Sequence, residues 1–271
     1  MLKHIVINHI VRYIKLFAAQ CKISVMSAAI YRTNFWLMIL QSVINSLMGI
    51  LVVRLIYGSV DSIAGWNMHE MIILICTSQI VNQFYRGIIH WNQNRFIASV
   101  VSGSFDRMLL RPMSVIFQAN TGSVDFTCPI SAICPLVVLV INLIALGVNI
   151  NGVTIFLYIL YLINGVIVLS SFMLLLYSFS FRFIKVDGLS NIYYLMMDIA
   201  DRPREMFSRG FMYGFIFLIP AIPLANAPAS ILLGKADMTL MILYLCVGLL
   251  FPLLSYIAVR KGLQKYTSAS S

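Results

Sequence analysis

Long stretches without charge alternate along the chain with short stretches that carry most of the charged residues. A helix needs about 20 predominantly apolar residues to cross a hydrocarbon core roughly 30 Å thick. Segments of this length with at most one charge are Thr33–Val53, Met71–Trp91, Pro112–Gly147, Val153–Phe181, Gly210–Gly234 and Met238–Val259. The pattern predicts an all-α polytopic membrane protein with six transmembrane helices, folded as a single transmembrane domain over residues 1–271.

The first 30 residues follow a different pattern. Apolar and basic residues alternate at roughly helical spacing, namely Ile5, Ile10, Val11, Ile14 and Phe17 with Lys3, Arg12, Lys15 and Lys22. The segment lacks the continuous apolar run and the small-residue cleavage site of a signal peptide. It predicts a basic amphipathic helix over residues 1–30 that lies on an anionic inner leaflet. The alternative is a solvated N-terminal helix.

Composition narrows the class of protein. Hydrophobic residues make up 61% of the chain and charged residues 10%, and the mean hydropathy is +0.92. A soluble domain carries about 25% charged residues, so a soluble enzyme, a disordered chain and a disulfide scaffold are excluded. The five cysteines form neither a CxxC pair nor a Cys/His cluster, and no metal site is predicted.

The net charge of +10 is informative through its placement. The basic residues gather before the first apolar segment, after the second and fourth, and near the end of the chain: Lys3, Arg12, Lys15, Lys22, Arg32, Arg95, Arg107, Arg111, Arg182, Lys185, Arg202, Arg204, Arg209, Arg260, Lys261 and Lys265. Because Lys and Arg favour cytoplasmic loops, both termini are predicted to be cytoplasmic. The placement of the basic residues thus indicates how the chain is oriented in the membrane. Lipid, and not nucleic acid, is the partner that this charge implies. The side of the membrane on which residues 186–210 lie is the point that this rule determines least firmly.

Residues 95–116 form a loop that is too apolar for a solvated linker. Its apolar residues Val100, Val101, Phe105, Met108, Leu109 and Leu110 are interleaved with Asp106, Arg107 and Arg111. Gly103 permits a sharp entry and Pro112 ends a helix. The loop therefore predicts a short amphipathic helix on the cytoplasmic side, with its apolar face on lipid, on the protein's own spans or on a partner subunit.

The segment from Gly103 to Pro112 reads GSFDRMLLRP. It resembles the G-x-x-D-x-x-L-L-R-P signature of a subfamily of bacterial ABC transporter permeases in the ABC-2, or type-2 exporter, family. A second similarity covers Arg202-Pro203, Ile219-Pro220, Asn226-Ala227-Pro228-Ala229 and Leu232-Leu233-Gly234, where that family typically reads Y-P, I-P, Y-P-A and L-L-G. The chain departs from the family at Arg202 and at Asn226-Ala227, which stand where the family favours an aromatic residue.

The resemblance implies a permease of the bacterial cytoplasmic (inner) membrane whose ATP and Mg²⁺ are bound by a separate ATPase subunit, present in two copies. The sequence agrees, because it contains no G-x-x-x-x-G-K-[ST] phosphate loop. No catalytic residue, cofactor or metal site is then expected in this chain. The resemblance also implies that residues 1–30 are the family's connecting helix.

The same resemblance makes the loop at 95–116 the element that couples the permease to the ATPase. The expected coupling residues are Gly103, Phe105, Asp106, Arg107, Leu109, Leu110, Arg111 and Pro112. Phe105, Leu109 and Leu110 are expected to be the apolar knobs that enter a groove of the ATPase. The charged residues of the loop are expected to set its orientation there.

Residues 203–234 have two interpretations. Type-2 exporters have short re-entrant helices on the outer side before the last span, and Pro220, Pro223 and Pro228 suit broken helices. The fifth span is then roughly Gly188–Asp201, and residues 203–234 enter the outer leaflet and return. The charge rule favours the opposite arrangement, with the arginines of 202–209 in the cytoplasm. The re-entrant version is the prediction.

Amide and ionisable side chains within the apolar segments are costly in lipid and face a cavity or another helix. The candidates for a translocation path are Gln41, Asn45, Gln79, Asn82, Gln83 and Arg86. Bonding between helices is the alternative role for the amides. Asp125, at the start of the third segment, is a candidate partner for Arg86.

Taken with the resemblance, the sequence is interpreted as the permease subunit of an ATP-driven exporter, forming half of a dimeric pathway for an amphipathic or hydrophobic substrate such as a drug, antibiotic, lipid or peptide. The second permease would be a copy of this chain or, as the resemblance favours, a different one. A membrane-embedded Mg-dependent transferase and a non-transporting scaffold are the alternatives. Asp198, Asp201 and Glu205 have the spacing D-x-x-D-x-x-x-E. A transferase needs a second such motif, and acids balanced locally by Arg202 and Arg204 are the simpler interpretation.

Overall fold

The computed structural model describes residues 2–30, 32–181 and 188–266. Arg182 and Lys185, which entered the charge argument, lie outside this part, as do the side chains of Lys3, Ile5 and Ile10. Helix α1 covers Leu2–Ile30. It is followed by the first span, α2, at Arg32–Tyr57.

The second span is one long helical rod with a local irregularity. Helix α3 (Met68–Tyr85) continues through a π-helical segment at Arg86–His90 into α4 (Trp91–Val101). The capping box of Asn67 and Glu70 starts it, because each side chain accepts from the other residue's backbone N–H at 3.0 Å. After α4 come two short helices, α5 (Asp106–Leu109) and α6 (Val115–Thr121).

The remaining long helices complete the bundle. The third span joins α7 (Thr127–Ser131) to α8 (Ile133–Leu146). The fourth is α9 (Gly152–Tyr177), extended by a 3-10 turn to Phe181. The last is α13 (Met238–Lys265). Together with the first and second spans, these make five helices that are long and apolar enough to cross a membrane. The all-α polytopic fold is therefore confirmed.

The third span is shorter than the apolar pattern predicts. The run from Pro112 has Asp125 as its only charge, but its first part folds as α6 and a loop beside α4. Amides hold it there, because Asn92 donates to the Ser123 carbonyl at 2.8 Å and Gln93 donates to Asn120 Oδ1 at 2.9 Å. The predicted start at Pro112 is therefore wrong, and the span begins at Thr127.

Between the fourth and last spans lie three shorter helices: α10 (Leu189–Ala200), α11 (Arg209–Phe217) and α12 (Ile222–Leu232). Helix α10 has 12 residues and is about 18 Å long. It runs antiparallel to α3, because Tyr193 donates to Asn82 while Asp201 lies beside Ser78. Helices α11 and α12 meet at an angle of 108°.

The helix bundle has two ends, here called the proximal face and the distal face. The proximal face carries residues 103–112, and the distal face carries Trp66 and Glu205, which are joined by a hydrogen bond of 2.9 Å. Lys235, after α12, pairs with Glu70 at 2.7 Å on the distal face. The chain therefore enters and leaves the bent pair α11–α12 at the distal face. At mid-depth a Cβ on Gly165 of α9 would lie 2.8 Å from the Leu224 carbonyl oxygen, so glycine permits α12 to pack there.

Candidate functional site

The loop on the proximal face is built around a glycine turn. Gly103 has φ +73°, a left-handed conformation that glycine adopts without strain. The turn places Phe105 at the N-cap of α5, and α5 ends at Leu109, before Pro112. Ser114 then caps α6, since its Oγ accepts from the Phe117 N–H at 3.2 Å. A sharp entry at Gly103 and a short helix before Pro112 agree with the sequence prediction.

Phe105 is fully buried in a cluster of four rings, here called the aromatic anchor: Phe96, Phe105, Phe181 and Tyr266. The Phe105 centroid lies 5.8, 5.4 and 5.1 Å from those of Phe96, Phe181 and Tyr266, all in edge-to-face geometry. The expectation that Phe105 is a knob for a partner subunit is corrected, because its ring packs against the protein's own helix ends.

The outward side of the loop is apolar and basic. Leu110 is 85% exposed and Leu109 46% exposed, although both are large apolar side chains. Arg107, Arg111 and Pro112 are exposed as well, while Gly103 and Asp106 are half-buried. Partial burial and the adjacent Asp106 carboxylate raise the pKa of the Tyr266 phenol above its ordinary value. Asp106 thus faces the aromatic anchor, and the leucines and arginines face outward.

Helix α1 contacts the end of this loop. The Arg12 guanidinium donates to the Pro112 carbonyl at 2.9 Å, and Tyr13 Oη accepts from the Ser114 N–H at 3.2 Å. The Tyr13 and Phe117 rings lie 4.6 Å apart. The N-terminal helix is therefore joined to the segment that follows α5.

Four of the six candidate path residues line one cavity of about 90 Å³ between the first and second spans: Gln41, Asn45, Gln83 and Arg86. Asp125 lines the same cavity. The predicted proximity of Arg86 and Asp125 is thus observed. The described residues include no ion pair between them.

The other amides bond between helices. Gln79 donates to the Ser46 carbonyl at 3.4 Å, and Asn82 accepts from Tyr193 of α10. Gln83 combines both roles, since it donates to Ser42 of α2 and also lines the cavity. The alternative role given to the amides is therefore correct for Gln79 and Asn82.

The π-helical segment explains how Asp125 reaches Arg86. Widening the helix frees the Gly87 carbonyl, which accepts from the Asp125 N–H at 2.7 Å. A Cβ on Gly87 would lie 2.6 Å from Pro129 Cδ, so only glycine permits this approach. Nothing in the local pattern at 86–90 distinguishes a π-helix from an α-helix, and sequence reasoning missed it. The same is true of Phe96, Phe181 and Tyr266, whose rings meet only in the folded chain.

Two of the three acidic residues of 198–205 are paired locally. Asp198 accepts from Arg202 at 2.8 Å, and Glu205 pairs with Arg204 at 2.8 Å while accepting from Trp66. The interpretation of these acids as locally balanced is confirmed for Asp198 and Glu205. Within the described residues, no group of three His, Cys, Asp or Glu side chains is arranged to hold a metal ion.

Comparison with known protein families matches residues 43–270 to the ABC-2 family transporter protein. No curated protein and no solved structure matches the chain. The family match begins within α2 and continues beyond the last span, and it includes the loop, the aromatic anchor and the path residues Asn45, Gln79, Asn82, Gln83 and Arg86. The chain therefore belongs to the ABC-2 family of transporter proteins, as the multi-pass permease of an ABC transporter, a transport subunit that is not itself catalytic.

Proposed function

We propose that this chain is half of a dimeric translocation pathway in an ATP-driven exporter, and that an ABC ATPase docks on its α5 loop. Permeases of this family work with an ABC ATPase in general. The observation that carries the proposal is the division of the loop: Leu109 and Leu110 face outward while Phe105 is buried behind them. An exposed apolar pair held on a buried support is suited to fill a groove of a partner.

The aromatic anchor supports a mechanical role for the loop. Phe96 belongs to the second span, Phe181 ends the fourth and Tyr266 follows the last. A force applied to α5 therefore reaches three spans through packed rings, which deform little. We propose that closure of two ATPase subunits around ATP and Mg²⁺ moves the paired α5 loops and opens the pathway outward.

The exposed first span supports pairing with a second permease. Only 17% of the most apolar stretch of α2 is buried within the chain, compared with 67% of the corresponding stretch of the second span. We propose that a second permease covers part of α2, either another copy or, as the family resemblance favours, a different subunit. The amphipathic or hydrophobic cargo would pass Gln41, Asn45 and Arg86.

We propose that the protein lies in the bacterial cytoplasmic membrane with the proximal face and both termini in the cytoplasm. Arg95, Arg107 and Arg111 lie towards that face, as basic residues do in cytoplasmic loops. The distal face, with Trp66 and Glu205, is then the outer face.

The test is copurification of the ATPase. The variant Leu109→Glu/Leu110→Glu should insert normally but lose the copurifying protein that carries a G-x-x-x-x-G-K-[ST] motif, along with the ATPase activity of the eluate. Val60→Glu, which adds one acid at an exposed apolar residue of the distal loop, is the control and should retain both. An ATPase that still copurifies with the double variant contradicts docking at α5.

A further inference from the structure

Two cavities adjoin beside the first span. The cavity of about 90 Å³ around Arg86 shares Met38, Trp91, Asp125 and Thr127 with a second cavity of about 330 Å³. The larger one extends towards the proximal face, where Ser24, Ser27, Asn34 and Arg95 line it. Together they form a continuous depression, here called the α2 cleft.

The α2 cleft has an excess of positive charge. Arg86 and Arg95 line it, with Asp125 as its acid. The Asp125 Oδ1 accepts from the Thr127 N–H at 2.9 Å and from the Thr127 hydroxyl at 2.6 Å. Within the described residues neither arginine forms an ion pair. Two guanidinium groups against one carboxylate leave the cleft with a net positive charge, so it is suited to receive an anion.

The depth of Arg86 indicates where that anion comes from. Arg86 follows Met68, the first residue of the second span, by about 27 Å of helix. That distance is close to the hydrocarbon thickness of roughly 30 Å. The guanidinium therefore lies near the level of lipid head groups in the proximal leaflet. The exposed side chain of Met38 lines both cavities, and further apolar side chains of α2, including Leu37 and Leu40, are exposed on the same helix.

We infer that the α2 cleft binds the anionic head group of a membrane amphiphile from the proximal leaflet. Arg86 is the ligand of the phosphate or carboxylate, and the amides of Gln41 and Asn45 supply further donors. The acyl chains lie along the exposed apolar surface of α2. The inference rests on the proposed function only for the assignment of the proximal leaflet to the cytoplasm, and it requires no ATPase.

Binding is tested on the purified full-length protein in detergent by native mass spectrometry. Phosphatidylglycerol should be retained at least about tenfold more tightly than phosphatidylcholine with the same chains. Both lipids carry a phosphate, but in phosphatidylcholine the ammonium group of the same molecule balances its charge and is repelled by the arginines of the cleft. Arg86→Gln should remove the preference and Arg86→Lys should keep part of it. Arg54→Gln, which removes an exposed cation from the distal end of α2, is the matched control. An unchanged preference in Arg86→Gln overturns the inference.

The Asp125→Asn variant should change the affinity for phosphatidylglycerol in the direction opposite to that of Arg86→Gln. The amide still accepts from Thr127 but removes the negative charge beside Arg86, so phosphatidylglycerol should bind more tightly. Weaker or unchanged binding overturns the assigned charge balance. Oleate in place of phosphatidylglycerol distinguishes a carboxylate from a phosphate requirement. Millimolar inorganic phosphate should not displace the lipid, and displacement would show a free-anion site and overturn the amphiphile.

A fluorescence measurement that starts from the unaltered protein gives a second readout of the same site. Trp91 is exposed and lines both cavities. Phosphatidylglycerol with brominated chains should quench the tryptophan emission of the protein more than brominated phosphatidylcholine does at the same mole fraction, and Trp91→Phe should reduce the difference. Equal quenching by the two lipids counts against the site. Because no ATPase is present, failure here leaves the copurification test of the α5 loop unaffected.

Discussion

The indole Nε1 of Trp66 donates a hydrogen bond of 2.9 Å to Glu205 Oε2, joining segments that lie 139 residues apart. Lys235 strengthens the same contact region, because its Nζ lies 4.9 Å from the centre of the Trp66 ring and pairs with Glu70. The charged segment at 202–209 is thereby held at the distal face, opposite the α5 loop. With the α5 loop in the cytoplasm, as proposed, the position of these arginines departs from the charge rule. Local pairing of Arg202 with Asp198 and of Arg204 with Glu205 balances two of the charges there.

Thiol labelling tests this topology. The chain has free cysteines at Cys21, Cys76, Cys128, Cys134 and Cys246, which are first replaced by alanine. Ser208→Cys, at an exposed residue before α11, should react with an impermeant maleimide in whole cells. Leu110→Cys should react only after permeabilisation. A residue 208 that labels only in permeabilised cells would place the segment in the cytoplasm.

The Trp66–Glu205 hydrogen bond should stabilise the distal face. A double-mutant cycle of Trp66→Phe and Glu205→Gln is expected to give a coupling of about 0.5–3 kcal/mol in unfolding free energy, as for residues in direct contact. Asp61→Asn, a neutral substitution of an exposed acid in the same loop as Trp66, serves as the control and should change stability little. Additive effects of the two changes would show that the bond contributes nothing measurable.

Close packing between the fourth and last spans predicts a steric effect. A Cβ on Gly248 would overlap Asn164 Oδ1, whose amide nitrogen donates to the Tyr244 carbonyl at 3.1 Å. Gly248→Ala should therefore lower stability by about 1–3 kcal/mol, the usual cost of overpacking. Gly214→Ala, where a Cβ meets nothing within 4 Å, should be neutral or stabilising. Thermal unfolding in detergent compares them, and adding Asn164→Ala should relieve part of the Gly248→Ala defect.

The aromatic anchor and the exposed leucines should respond differently to truncation. Phe105→Ala leaves a cavity among Phe96, Phe181 and Tyr266 and should lower stability by about 3–5 kcal/mol. Leu110→Ala removes an 85% exposed side chain and should change stability by less than about 0.5 kcal/mol. Thermal unfolding of the two variants separates the supporting residue from the proposed contact residue. Equal stability of both would contradict the packing of Phe105.

Features that depend on neighbouring residues were predictable from the sequence. The length of an apolar run decides whether a helix can cross a membrane, so the first, second, fourth and last spans follow from the pattern alone. The turn at Gly103 and the end of α5 before Pro112 are equally local, since they depend on the backbone freedom of single residues.

Only the tertiary structure decided the features that depend on partners distant in the chain. Asn92 and Gln93 keep residues 112–126 out of the third span, although Asp125 is their only charged residue. Rings from three helix ends draw Phe105 inward, and Trp66 holds Glu205 at the distal face. The approach of Asp125 to Arg86 requires both the π-helical segment and Gly87. Each outcome is a contact across many residues, whose energy appears only when the folded chain brings both partners together.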